Sequence, residues 1–377
     1  WIIKGRFARK FLTVTLAPGG VGKSRVAMAE AIAIAANIQG MAGKERVRSC
    51  GAGWYYSTED PRSALEERVA GYLKYHRLET KKVPFSVTSG VALPLVLVKK
   101  IHGEYVVNDM MIKHIIQTIK NNNIALFTID PFIKCHALEE NDNTGLDRVA
   151  SALAYIADEG NCGVHVIHHT KKLGRGEVDW FRGNMDVGRG ASSFASAARI
   201  VHTLTNYNQE LDEDEYQVVP SEAWRWVRLD DAKNNMAPRS KVPMWWNLES
   251  IRLACHVEAD DSVGVAVSKE PGKFDDTIKE QLNRGFVSMV GRFMDNQNVS
   301  EIKVSTLANA VTSMSEFINA RKLDGFAGGD KAARLKIKIR ELFVLGFTIG
   351  NERYFLETKG GSDTVVREHI VDKVDFL

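Results

Sequence analysis

The run Ala17-Pro18-Gly19-Gly20-Val21-Gly22-Lys23-Ser24 follows the apolar segment Phe11-Leu12-Thr13-Val14-Thr15-Leu16 and constrains this chain more than any other feature. It reads as a strand entering a glycine-rich turn that opens an alanine-rich helix, Arg25 to Ile38, the setting a phosphate-binding P-loop requires. Glycines let backbone N–H groups converge on phosphate oxygens, and the helix N-terminus adds partial positive charge. Lys23 can reach the β- and γ-phosphates, and the Ser24 hydroxyl can hold Mg²⁺. Gly19, Gly20, Val21, Gly22, Lys23, Ser24 and Arg25 are therefore candidate nucleotide contacts, with ATP and Mg²⁺ as the expected ligands. Ala17 stands where the strict pattern has glycine, a change tolerable where φ is negative.

At 377 residues the length suits two domains better than one. The net charge is only +3, so nucleic-acid binding would have to come from local patches. Cys50, Cys135, Cys162 and Cys255 lie far apart with no CxxC pair, which fits reduced thiols in the cytoplasm better than disulfides or zinc. No stretch approaches the roughly 20 apolar residues of a membrane helix, so no membrane association is expected. The chain starts at Trp1, which leaves open what precedes it.

Residues 1–258 alternate strand-like and helix-like segments, the pattern of an α/β domain. Gly53 to Thr58 reads as a buried strand, followed by Asp60 as a helix cap and Pro61 at the first helical position. Leu95 to Val107 reads as a hairpin turning near Gly103, and Met110 to Lys120 as an amphipathic helix. Ile124 to Ile129 and Val164 to Ile167 are further buried strands, with a helix from Leu146 to Asp158 between them. Arg199 to Leu204, Trp224 to Leu229 and Trp245 to Val257 read as later strands, an antiparallel extension. The polar stretch 259–274 is expected to be a linker. Beyond it, helices at Asp276–Met294, Ser305–Met314 and Ala332–Leu345 precede a hairpin turning at Gly350-Asn351, so 275–377 has the outline of a small winged-helix-like α+β domain.

Three further elements suit nucleotide hydrolysis. Asp130 ends the strand Ile124–Ile129, where a carboxylate can lie in the second shell of Mg²⁺ beside Ser24, held through water. Glu59 follows the strand Trp54–Thr58, at the sheet end where ligands bind, and is placed to polarise an attacking water as general base. His168 and His169 end the strand Val164–Ile167 at the same rim, where a side chain could contact the γ-phosphate. Each also has a plainer reading, as a turn residue, a first-turn acid or a structural histidine.

Taken together, Trp1 to Gly5, Ser57 to Pro61, Ile129-Asp130-Pro131, His168 to Lys172 and Arg189 to Ser193 occur in an order that resembles the RepA-like hexameric ATPases. These are plasmid and phage replicative helicases of RecA fold, relatives of the DnaB type, and the resemblance covers roughly 1–258. It implies a RecA-like P-loop NTPase core in which Lys23 and Ser24 bind phosphate and Mg²⁺, Glu59 is the catalytic base, Asp130 the Walker B acid and His169 the γ-phosphate sensor. It implies Arg199 as the arginine finger reaching a neighbour's nucleotide, and Lys233, in Asp231-Ala232-Lys233-Asn234-Asn235, as a second residue pointed across the interface. Asn235 stands where DnaB-type members place an arginine, and Arg189 is the main rival to Arg199.

Two functions follow as expectations. One is a hexameric motor on single-stranded DNA, using Lys171, Lys172, Arg175, Arg182 and Arg189 with Trp180 and Phe181 as charge and stacking surface. The other is a regulatory or recombinase-type ATPase that assembles on DNA or partners without unwinding. The tail, with Lys331, Arg334, Lys336, Lys338 and Arg340 on one helix, serves either as a DNA reader or as a protein-docking module. A primase or initiator is an expected class of partner.

Overall fold

A computed structural model of the chain describes all residues other than 42, 44, 80, 81, 140, 175, 188–191, 256–260, 274–275, 313–335, 337–338, 341, 345, 350–351, 360 and 370–377. It divides into one unit formed by Trp1–Asn208 with Val218–Pro271 and a second formed by Gln209–Gln217 with Gly272–Leu377. The elements run β1 (Leu12–Pro18), α1 (Lys23–Ala36), β2 (Ala52–Ser57), α2 (Arg62–Tyr75), β3 (Phe85–Ser89), β4 (Val98–Ile101), β5 (Glu104–Val107) and α3 (Asp109–Asn121). They continue with β6 (Ile124–Asp130), β7 (His136–Ala137), α4 (Asn143–Gly160), β8 (Gly163–Thr170), α5 (Glu177–Phe181), α6 (Ser192–Ala197) and β9 (Ile200–Asn206). After α7 (Gln209–Asp212) and β10 (Tyr216–Gln217), the first unit resumes with β11 (Trp226–Asn234), β12 (Met244–Ile251) and β13 (Val263–Ser268).

In the first unit a nine-stranded sheet runs β13-β12-β11-β9-β1-β8-β6-β2-β3. The strands from β9 to β3 pair in parallel, while β11, β12 and β13 pair antiparallel as an extension. Strands β1 and β6 are buried at every residue, as parallel strands covered on both faces must be. One face packs on α1, whose small residues allow close approach: a Cβ on Gly53 would lie 3.0 Å from the Ala31 carbonyl oxygen. The opposite face is covered by α3 and α4, which bury Ile112, Ile115, Ile119, Leu146, Val149 and Leu153 at helical spacing. Arg6 and Glu30 tie the N-terminal segment to α1 through a buried ion pair, with Nε 2.8 Å from Oε1 and Nη2 2.6 Å from Oε2.

The hairpin expected between Leu95 and Val107 is β4 with β5, turning at His102-Gly103 with φ of 50° and 86°. Three local readings change. The stretch 259–274 is not a continuous linker, because β13 occupies Val263–Ser268 and pairs with β12 from Ile251↔Val263 to Trp246↔Ser268. The apolar contacts of Val265 and Ala266, both fully buried, outweigh the polar flanks that marked the segment as a linker. Asp60 does not cap α2, whose N-cap is Pro61; its carboxylate is taken up elsewhere. The stretch from Lys171 to Arg189 contains α5 and a single 3₁₀ turn at Met185–Val187.

The second unit contains α8 (Asp276–Asn296), β15 (Glu301–Lys303), α9 (Val304–Thr312), β16 (Phe347–Ile349), β17 (Glu352–Lys359) and β18 (Ser362–His369), with the short β14 (Gly272–Lys273) paired to β10. Its sheet runs β15-β18-β17-β16 over a core including Val287, Val290, Met294, Leu307, Phe343 and Val365. The expected hairpin is β16 with β17, Phe347 opposite Tyr354, while its turn at Gly350-Asn351 and most of the expected helix Ala332–Leu345 lie outside the described residues.

If β13 belongs to the sheet, Val265→Asp in the full chain should lower the thermal unfolding midpoint markedly, because an unpaired carboxylate in an apolar core costs several kcal/mol, about 3 or more. A linker residue would show no such loss.

Candidate nucleotide-binding site

Parallel pairing brings the candidate residues to one end of the sheet. Ser57 lies opposite Asp130, and Ala17 and Pro18 lie opposite His169 and Thr170. The P-loop, Glu59, Asp130 and His169 therefore share the carboxyl rim of β1, β2, β6 and β8, where α/β sheets bind ligands.

The loop takes its shape from two left-handed glycines, Gly20 at φ 83° and Gly22 at φ 91°. Around Gly19 and Gly20 an added Cβ would meet nothing within 4 Å, so the cradle is open where phosphate oxygens would sit. At Gly22 an added Cβ would lie 3.0 Å from Leu248, so strand β12 backs the turn. Ala17 is not among the residues with positive φ, which explains why it can replace glycine there. Arg25 stands apart from the other loop residues: its guanidinium lies against Gly264 of β13, where a Cβ would come within 2.7 Å of Cζ.

The side chains on this rim sense one another. Burial draws the Lys23 ammonium below the usual lysine range, while Asp130 and then Glu59 push it back up. His169 is lowered by partial burial and then by Lys23, against raising effects from Asp130 and Glu59. Four groups from the start of α1, the loop after β2 and the ends of β6 and β8 thus form one electrostatic cluster. Asp130 is buried and accepts a hydrogen bond from Tyr55 Oη at 2.6 Å. Glu59 is exposed between two anchored neighbours. The Thr58 N–H donates to the Asp130 carbonyl at 2.8 Å, and Arg68 grips Asp60 with two hydrogen bonds of 2.6 and 3.1 Å. Arg68 and Tyr55 were not singled out in the sequence; Asp60 lies ahead of α2, outside the helix, so the spacing of three or four that marks a helix pair does not apply to its contact with Arg68.

A hydroxyl, a carboxylate and an open phosphate cradle form the oxygen donor set that Mg²⁺ takes when a nucleotide supplies its remaining ligands. Among the described residues no group of three or more His, Cys, Asp or Glu could hold a metal unaided.

His168 turns the other way. Its ring packs edge-on to Phe132, 5.6 Å between centroids, and burial, then His169 and His136, bring it down to about 4. Arg199 and Lys233 lie together at the opposite end of the sheet: the Arg199 N–H donates to Leu12 at the start of β1, and Lys233 follows a bulge in β11. Lys233 Nζ donates to the Ser196 carbonyl at 2.6 Å, and its pKa is lowered by burial and then by Arg199. Arg189 lies outside the described residues, as does Arg175. Of the remaining loop residues, Phe181 is buried in the core, Arg182 binds Thr205 Oγ1 and the Asn206 carbonyl, and Lys171 pairs with Glu177, leaving Lys172 and Trp180 exposed.

Residues 1–175 match the family described as "AAA domain". No curated protein matches. Among solved structures, the RadB recombinase is 15% identical with a TM-score of 0.39, over 64% of this chain and 89% of that one. A DnaB-like replicative helicase is 14% identical with a TM-score of 0.43, over 63% of this chain and 55% of that one. The P-loop, the sheet order and the family match define an α/β P-loop core with an additional C-terminal β-rich region. An AAA domain is a nucleoside-triphosphatase domain, and such domains typically bind ATP with Mg²⁺. Among the described residues no helix is long and apolar enough to cross a membrane, and all four cysteines are free.

The depressed His168 gives a pH test. The unfolded chain takes up this proton near 6.5 and the folded protein only near 4, so between those values the unfolded state holds more protons. Its contribution to stability is therefore full above 6.5 and lost as pH falls toward 4. Thermal midpoints measured from about pH 8 to about pH 5 should fall less steeply for His168→Gln than for the unaltered protein.

Proposed function

We propose that this chain is the motor part of an ATP-dependent ring, a RepA-type helicase that moves on single-stranded DNA and separates duplex. The observation carrying this reading is the separation of two half-sites within one chain. Lys23, Ser24, Glu59 and Asp130 share one end of the sheet, and Arg199 with Lys233 shares the other. The length of β1 lies between them, roughly 20 Å at strand rise. No side chain spans that distance, so cations aimed at a γ-phosphate from this position serve a neighbouring subunit's nucleotide. Hydrolysis then depends on assembly, as a ring motor requires, and the motif order argues for a hexamer.

In this reading the P-loop N–H groups and Lys23 hold the phosphates, and Glu59 aligns and deprotonates the attacking water. Ser24 directly, and Asp130 through water, would hold Mg²⁺, which neutralises charge on the β- and γ-phosphates. His169, kept neutral by its surroundings, reports the γ-phosphate through a hydrogen bond. Arg199 from the adjacent subunit stabilises the charge developing in the transition state, with Lys233 beside it.

The alternative, an ATPase that assembles on DNA or partners without unwinding, draws support from the loop after β8. There Phe181 is buried and Lys171 and Arg182 are engaged, which leaves little free basic surface among the described residues. Strand separation of a forked duplex with ATP separates the two readings. For the second unit we propose a winged-helix-like module, on the order α8, β15, α9 and then β16 to β18, with β15 alongside β18. Arg340 is paired with Asp363, which weakens the case for a DNA reader and favours docking of a protein partner such as a primase or initiator.

Lys23→Ala should abolish ATP turnover. Glu59→Gln should still bind nucleotide and lose roughly 10²- to 10⁴-fold in turnover, the scale of general-base catalysis. Near-normal hydrolysis by Glu59→Gln would remove it as the base. Arg199→Ala should bind ATP and hydrolyse it about 10³-fold or more slowly. Mixed with Lys23→Ala, it should regain turnover where an intact loop faces an intact finger; exchanging subunits with no recovery at any ratio would refute action in trans.

A further inference from the structure

Tyr55 sits in the middle of β2 and is fully buried. Its partner on β6 is Thr128, and Asp130 is two residues further along the same face, so the tyrosine leans diagonally across the strand pair toward it. Its hydroxyl donates to Asp130 Oδ2 at 2.6 Å and lies 3.4 Å from the Ser24 carbonyl oxygen in the first turn of α1. A phenol has one proton, and the shorter contact to the charged acceptor takes it.

We propose that Tyr55 is a positioning residue for the metal-binding carboxylate. With Oδ2 committed to the phenol, Asp130 keeps a single rotamer and leaves Oδ1 as the oxygen free to serve the metal. The same bond restrains Asp130 from swinging onto Lys23, its electrostatic neighbour, which would draw the ammonium from the phosphates. A phenylalanine would fill the same space between α1 and the sheet and leave the carboxylate free to turn. The inference rests on the reading of Ser24 and Asp130 as the Mg²⁺ pair.

The test measures binding of a fluorescent N-methylanthraniloyl ATP to the full chain across a MgCl₂ titration, and again in EDTA. Tyr55→Phe should raise the Mg²⁺ concentration for half-maximal binding by about tenfold, the scale of one hydrogen bond to a charged group, and leave affinity in EDTA unchanged. Replacing Tyr55 with p-aminophenylalanine, which keeps a donor at the same position, should restore the midpoint; this variant also carries the test if the phenylalanine form does not fold. In an Asp130→Asn background, Tyr55→Phe should add no further shift. An unchanged Mg²⁺ midpoint, or equal weakening with and without Mg²⁺, would overturn the proposal and leave Tyr55 as core packing. If the unaltered protein binds the analogue with no dependence on Mg²⁺, the metal assignment itself fails, a result distinct from failure of the tyrosine's role.

Discussion

The site depends on the register of parallel strand pairing. The candidate residues Lys23, Glu59, Asp130 and His169 are separated by up to 146 positions, and nothing local brings them together. Parallel pairing aligns the carboxyl ends of β1, β2, β6 and β8, so residues just past each strand meet at one rim. A one-residue slip would turn Tyr55 and Asp130 to opposite faces and separate them. Register is held by burial on both faces: α1 covers one, α3 and α4 the other, and a shifted strand would carry polar Thr13, Thr15 or Thr128 into the wrong layer.

The same pairing explains why the two ends of the sheet differ. At the carboxyl ends the chain leaves each strand through a turn rich in donors and acids. At the opposite end, the amino end of β9 and the carboxyl end of antiparallel β11 meet, with Arg199, a bulge and Lys233. The bulge between Asp231 and Lys233 puts one extra residue in β11 and re-aims the lysine beside Arg199. Burial, and after it the nearby Arg199 guanidinium, hold the Lys233 ammonium below the usual lysine range, and an anion meeting the pair would relieve both costs.

Much of the core was legible because its signals are strong and local. The P-loop has its glycines in sequence, β6 is apolar but for Thr128 before Asp130, and β8 carries Val164, Val166 and Ile167 ahead of His168-His169-Thr170. What escaped reading was set by tertiary context. In β13 the residues Val263, Val265 and Ala266 are buried between polar flanks, and a glycine interrupts the strand, so composition pointed to a linker. Strand β3, Phe-Ser-Val-Thr-Ser, is half polar because it is an edge strand with less to bury. Asp60 resembled a helix cap, yet a guanidinium two turns along α2 competes for the carboxylate and binds it with two hydrogen bonds. Phe181 looked like stacking surface only because α5 was not apparent; one helical turn is enough to roll the ring into the core.

These buried partners bear on how the rim can work. Lys23 and Asp130 are both largely removed from water, so each is costly to leave without a counter-charge, and their mutual attraction offsets that cost before nucleotide arrives. The two groups feel each other's charge, while the Asp130 carboxylate is bound by Tyr55. In the proposed reading, bound triphosphate takes over as counter-charge to Lys23 and Mg²⁺ as counter-charge to Asp130, an exchange of electrostatic partners that needs no direct ion pair to be broken. Anchors that hold Asp130 and Asp60 in fixed orientations lower the cost of that exchange, because the side chains need not be ordered at the moment of binding. Preorganisation on rigid strands and helices, with Glu59 and His169 left exposed, divides the rim into a fixed part that binds and a freer part that meets water.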